Sequence, residues 1–170
     1  MYIVSDKEKL IKYQNTILFF AKNCKSSTVG KVKLAKLLYY TDFDHYEKHL
    51  ESITGAEYYN QDLGPVADDF YFQLDKLHVC GIITITPKAT PFEHDFELIE
   101  SNVDPNLDVF TKEELETLTI ESKRWYSTSG NKMSDQSHKE TPWKITKKGE
   151  HVPLQLALHR NEKAFLASVK

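Results

Sequence analysis

The chain has 170 residues, 40% hydrophobic and 12% aromatic, which suits one domain with a packed core and excludes a disordered or repeat protein. Its 22 basic and 25 acidic residues leave a net charge of -3, which argues against a broad phosphate-binding surface and hence against nucleic acid as a partner. Cys24 and Cys80 lack metal-ligand spacing and suit the reduced thiols of a cytoplasmic protein, while the charged start MYIVSDKEKL has no signal-peptide centre and no run approaches the ~20 apolar residues of a membrane span.

Ser5-Asp6-Lys7-Glu8 has capping-box spacing, and Leu10, Gln14, Ile17, Leu18 and Ala21 follow at helical intervals, predicting a first helix. A second is predicted from Gly30 to Leu50 as an amphipathic helix. Leu34, Ala35, Leu38, Tyr39 and Tyr46 lie on one face, and Lys33, Lys36, Tyr40, Asp44 and Glu47 on the other. Ala56 to Tyr59 reads as extended. Gly64-Pro65 is expected to open a third helix, with Val66, Phe70, Leu74 and Leu77 as its stripe and Gly81 as its end, because proline suits a first helical position. The β-branched run Ile82 to Thr86 and the alternating Phe92, His94, Phe96 and Leu98 predict a β-hairpin.

Thr111 to Glu114 is another capping box, opening a helix whose inner face is Leu115, Leu118, Ser122 and Trp125 before the Ser127 to Gly130 loop. Pro153 is expected to start a last helix through Leu154, Leu158 and Phe165. The fold class is therefore α+β and mainly helical: one compact helical domain over residues 1–170 with a small β element.

Asp42, His45 and His49, at i, i+3 and i+7, share a helix face and are the best metal candidates, although hydrogen-bonded structural roles explain that face as well. Ser134-Asp135-Gln136-Ser137-His138 sets a serine beside a histidine. Neighbouring side chains point in different directions, however, so the pair does not make a nucleophile and base, and Ser134 reads better as the N-cap of a short turn. In the same reading His138 makes a fixed hydrogen bond, and Trp143 packs the turn against the helices or stands near a partner surface. The helix, helix, helix, hairpin order also suits a winged-helix DNA-binding regulator. Against it stand Glu93, Asp95, Glu97 and Glu100 on the wing and Asp68, Asp69 and Asp75 on the third helix. Lys31, Lys33 and Lys36 preceding Asp42, Asp44 and Glu47, with Tyr40 between, form either a solvated face or a two-signed strip for another protein.

Four segments, Leu34-Ala35-Lys36-Leu37-Leu38-Tyr39-Tyr40-Thr41-Asp42-Phe43, Ile53-Thr54-Gly55-Ala56-Glu57-Tyr58, Gly64-Pro65-Val66, and Ser134 to His138 followed by Trp143, together resemble the Panacea domain family, the SocA-like antitoxin domains of bacteria and their phages. The order and spacing extend over roughly residues 10 to 155. His49-Leu50-Glu51-Ser52 departs from the glycine-containing turn expected there.

The resemblance implies a cytoplasmic, non-enzymatic antitoxin, bacterial or phage-encoded, that neutralises a protein toxin encoded beside it by direct binding, with phage defence as a setting. It implies no cofactor and no membrane, and leaves the oligomeric state and the toxin unnamed. Since the chain starts at the domain's first helix, no separate DNA-binding module is expected. The partner-binding candidates are Lys36, Tyr39, Tyr40, Asp42, Tyr58, Tyr59 and Trp143, because interface anchors are aromatic with a polar rim. Gly55, Gly64, Pro65, Ser134, Ser137 and His138 are expected to carry the fold. The alternatives are the DNA-binding regulator and the metal-dependent enzyme.

Overall fold

Helix α2 (Lys31–His49) is the axis of the molecule, with helices and strands from both halves of the chain packed against it. The computed structural model describes residues 6–89 and 96–160, and within them the chain is mainly helical with two small antiparallel sheets. Helix α1 (Asp6–Asn23) lies against α2 and buries Ile17, Leu18, Phe19 and Phe20. Ser5, the first residue of the N-terminal capping box, lies outside the described residues.

The amphipathic reading of α2 is corrected. Every residue from Lys33 to Phe43 is buried, so the side on which Lys33, Lys36 and Tyr40 were expected to meet solvent is covered as well. A helix covered this fully needs partners for its polar side chains, and most on α2 have them, although the buried Thr41 hydroxyl has none among the described residues. Lys33 Nζ donates to Thr28 Oγ1 at 2.7 Å and to the Tyr126 carbonyl at 3.0 Å.

After α2 the chain forms β1 (Tyr58–Tyr59) and β2 (Val66–Ala67), and β5 (His151–Val152) joins them from far along the chain in the order β2-β1-β5. Tyr58 pairs with both Ala67 and Val152. Pro65 therefore precedes a strand and does not open a helix. Helix α3 (Phe70–Val79) starts five residues later, keeping the expected stripe of Phe70, Leu74 and Leu77, and Gly81 follows its end at φ +70°.

The hairpin consists of β3 (Ile83–Lys88) and β4 (Phe96–Ser101), with Ile85 opposite Ile99 and Lys88 opposite Phe96. Phe92, Glu93, His94 and Asp95 of the expected second strand lie outside the described residues. Helix α4 (Lys112–Arg124) begins with the expected capping box: Glu114 N–H donates to Thr111 Oγ1, and the Glu114 carboxylate accepts from Thr111 N–H. Leu118, Ser122 and Trp125 turn inward as expected.

Two short helices follow, α5 (Gly130–Ser137) and α6 (Thr141–Ile145). Helix α5 crosses α2 so closely that a Cβ on Gly130 would sit 2.8 Å from the Lys33 amide nitrogen. Where a last helix was expected, Leu154–His159 is a 3-10 segment preceded by Pro153, and Phe165 lies outside the described residues.

Candidate functional site

Side chains from α2, α5 and α6 converge on the loop between β1 and β2. Lys36, buried in α2, donates from Nζ to the Pro65 carbonyl at 2.5 Å. Burial disfavours its ammonium and pushes its pKa down to about 7. Ser134 Oγ donates to the Leu63 carbonyl at 2.8 Å, and Ser137 Oγ to the Ser134 carbonyl at 2.8 Å. Gly64 fits between them at φ +96°, where any Cβ would overlap Ser137 Oγ and approach Lys36 Nζ to 3.0 Å. From the other side Trp143 Nε1 donates to the Gln61 carbonyl at 3.2 Å, and Asn60 Nδ2 donates to the Trp143 and Thr146 carbonyls at 3.0 and 2.9 Å.

Two expectations about this region are corrected. Ser134 does not cap: it lies within α5, and the capping residue is Ser129, whose Oγ accepts from Lys132 N–H at 3.4 Å. A buried serine just over one turn into the helix uses its hydroxyl for a loop carbonyl instead. His138 makes no fixed hydrogen bond through Nε2, which is buried without a partner among the described residues. Its ring stacks on Trp143, with centroids 4.1 Å apart. Ser137 is bonded to backbone and not to His138, so the neighbouring pair forms no dyad.

A second cluster holds the chain after α2. The buried Asp42 carboxylate accepts from the Ile53 and Thr54 amides at 2.8 and 3.0 Å, from Tyr58 Oη at 2.7 Å and from Thr54 Oγ1. Burial raises its pKa, and these donors pull it back. Gly55 continues this turn, its N–H donating to Ser52 Oγ at 2.9 Å. Asp42 thus faces the 53–58 segment, whereas His45 Nδ1 meets Thr117 Oγ1 of α4 at 2.9 Å and the His45 ring stacks on His49 at 4.4 Å. The candidate metal trio, all on α2, is therefore turned toward different neighbours. Among the described residues no three His, Cys, Asp or Glu side chains come together as a metal requires.

The sequence gives little sign of a third cluster. Tyr39 Oη donates to Glu140 Oε2 at 2.7 Å, and Arg160 Nη2 bonds Asp44 and, at 2.7 Å, Glu47. Arg124 also reaches Asp44, at 2.9 Å, and lies over the Tyr40 and Trp125 rings. Glu121 accepts from Trp125 Nε1 at 2.9 Å. Glu140, Arg160 and Asn60 were not singled out from the sequence. For Glu140 the available signal is its place between His138 and Trp143, and for Arg160 no local pattern exists.

Of the seven residues nominated for partner binding, Lys36, Tyr39, Tyr40, Asp42 and Tyr58 have at most 1% of their surface exposed. They cannot anchor a partner in this fold; of the two-signed strip along α2, Lys33, Lys36, Tyr40 and Asp42 are internal, whereas Lys31 and Asp44 are half-buried and Glu47 is exposed. Tyr59 and Trp143 are half-buried and keep a surface. Lys36, Ser134 and Trp143 hold the β1-β2 loop through its carbonyls and leave Gln61, Asp62 and Leu63 facing solvent. Helix α3 presents Asp69 and Asp75 at its exposed side with Lys76, and Glu97 and Glu100 lie on the hairpin, a charge pattern unsuited to phosphate.

Residues 34–144 match the family model for the antitoxin SocA-like, Panacea domain, a span of well over half the chain that contains all four motifs. No curated protein and no solved structure matches the chain significantly.

Proposed function

We propose that this chain, which belongs to the SocA-like antitoxin Panacea domain family, neutralises a protein toxin encoded beside it by binding it directly, in the cytoplasm of a bacterium or a phage-infected cell. The family match over residues 34–144 carries the reading. The motif chemistry supports it. Lys36, Asp42 and Ser134 are committed to bonds that hold loops and Ser137 to a bond within α5, so these groups, which a hydrolase or metal enzyme would use, are engaged in architecture. Sequestration by surface burial needs a stiff scaffold and no reacting group. No helix among the described residues is long and apolar enough to cross a membrane.

The test is co-expression with the adjacent reading frame. Its product alone should arrest growth, growth should return when this chain is induced, and the two proteins should purify together. A harmless neighbour, or one still toxic in the presence of excess chain, overturns the reading.

A further inference from the structure

Beside the fixed β1-β2 loop, an open groove of about 500 Å³ runs between that loop and the start of α3. Its walls are Tyr59, Leu63, Val66, Tyr71 and Phe72. Leu63, Tyr71 and Phe72 are 49%, 58% and 63% exposed, a concentration of large apolar side chains at one place that calls for a covering partner. The bonds from Lys36, Ser134 and Trp143 to the Pro65, Leu63 and Gln61 carbonyls hold one wall in place before anything binds.

The charge of the groove specifies its occupant. Asp62, Asp68 and Asp69 line it, and among the described residues no lysine or arginine does. Asp68 Oδ1 accepts from the Glu57 amide at 3.0 Å. Asp62 pairs with Lys148 at 2.6 Å, both side chains being largely exposed, so the pair is weak and exchangeable. Asp69 stands ahead of α3 at φ 55°, in the left-handed region, and its carboxylate makes no capping bond. Exposed tyrosine and phenylalanine faces beside carboxylates suit arginine and lysine, whose stems lie on rings while their heads meet carboxylates.

We propose that this groove is the toxin-binding surface and that the segment seated in it is cationic, with arginine or lysine side chains lying between Tyr59, Tyr71 and Phe72 and reaching Asp69 and Asp62. This assignment rests on the antitoxin reading. It names Tyr59, one of the nominated residues, as a direct contact and makes Trp143 a positioning residue that holds the loop through Gln61.

Two measurements test it separately from that reading. In the first, Phe72→Ala and Asp69→Lys are compared with wild type for neutralisation of, and affinity for, the neighbouring gene product, with Ile120→Ala on α4 as a control and thermal melts to confirm folding. The groove variants should bind at least about tenfold more weakly and the control within about twofold. If wild type neutralises and the folded groove variants do so equally well, the groove is overturned and the antitoxin reading stands. In the second, wild-type chain is titrated with an oligo-arginine peptide and, separately, an oligo-glutamate peptide, while backbone amide resonances are followed. Oligo-arginine alone should shift the amides of Tyr59, Leu63, Tyr71 and Phe72, and Asp69→Lys should abolish the shifts. Shifts located elsewhere, none at all, or the same shifts with oligo-glutamate overturn the groove assignment, whatever the neighbouring gene product does.

Discussion

Asp42 carries more of the local structure than any other polar residue on α2, because one carboxylate serves four donors from a segment eleven to sixteen positions later. A buried N–H without an acceptor costs more than the bond itself contributes, since the group has already left water. Asp42→Ala strands the Ile53 and Thr54 amides together with the Tyr58 hydroxyl, and should lower unfolding stability by about 3–5 kcal/mol. Asp42→Asn keeps one acceptor for the two amides and its amide group can donate to the hydroxyls, so it should cost about half as much or less. Urea denaturation of the two variants checks this. Equal losses would mean that the carboxylate is not the clamp.

The contact between α2 and α5 depends on the missing side chain of Gly130, where backbone approaches backbone. Alanine is ordinarily the better helix former, and Gly130→Ala on an open helix would stabilise. Here its Cβ meets the Lys33 amide nitrogen at 2.8 Å and Val32 Cβ at 3.0 Å, atoms that cannot swing aside, so α5 must move. A loss of about 1–3 kcal/mol is expected, read as a drop in thermal midpoint; an unchanged or raised midpoint would show that α5 is free to shift.

Elements of this kind divide sharply in how legible they are from sequence. The capping box at Thr111, the stripe of α3 and the hairpin depend on residues a few positions apart, and the pattern carries them. The surroundings of α2 depend on distant partners: Lys36 on Pro65, Lys33 on Tyr126, Tyr39 on Glu140. Periodicity assigns lysine to solvent by its chemistry alone, so it placed Lys33 and Lys36 on an outer face. Pro65 was misread for a related reason. Its fixed φ suits an extended segment as well as a first helical turn, and the bond from Lys36, with the pairing of Val66 on Tyr59, selects the extended form. The motifs Gly64-Pro65-Val66 and Ser134 to His138 with Trp143 did mark the β1-β2 loop and side chains that bond it, but through family resemblance; the proposed groove beside it is made of unremarkable surface residues brought together by the fold.

At the scale of the whole molecule, the interior holds ionisable groups whose burial makes stability depend on pH in opposite senses. Burial lifts Glu140 to about 7, against the pull of Arg160, and Glu121 to about 8, aided by the nearby Asp44. From the ordinary 4.5 up to those values the folded chain keeps protons that the unfolded chain has released, so these two groups lower stability as pH rises through that window. Lys36 works the other way. With its pKa pushed from 10.5 to about 7, the unfolded chain holds the extra proton between those values, and stability rises with pH there. His45, held below 6.5 by burial and by His49, also adds a rising trend at the acid end, so the decisive quantity is the difference between wild type and variant at each pH. Relative to wild type, Glu140→Gln should gain stability steadily from about pH 5 to about pH 7 and then level off. Lys36→Met should lose ground relative to wild type from about pH 7 towards about pH 10, the range in which wild type alone draws on a neutral lysine. Urea denaturation of the three proteins across that range checks both slopes. A Lys36→Met difference independent of pH would mean that the lysine stays charged in the folded protein, paired more fully than by the Pro65 carbonyl alone.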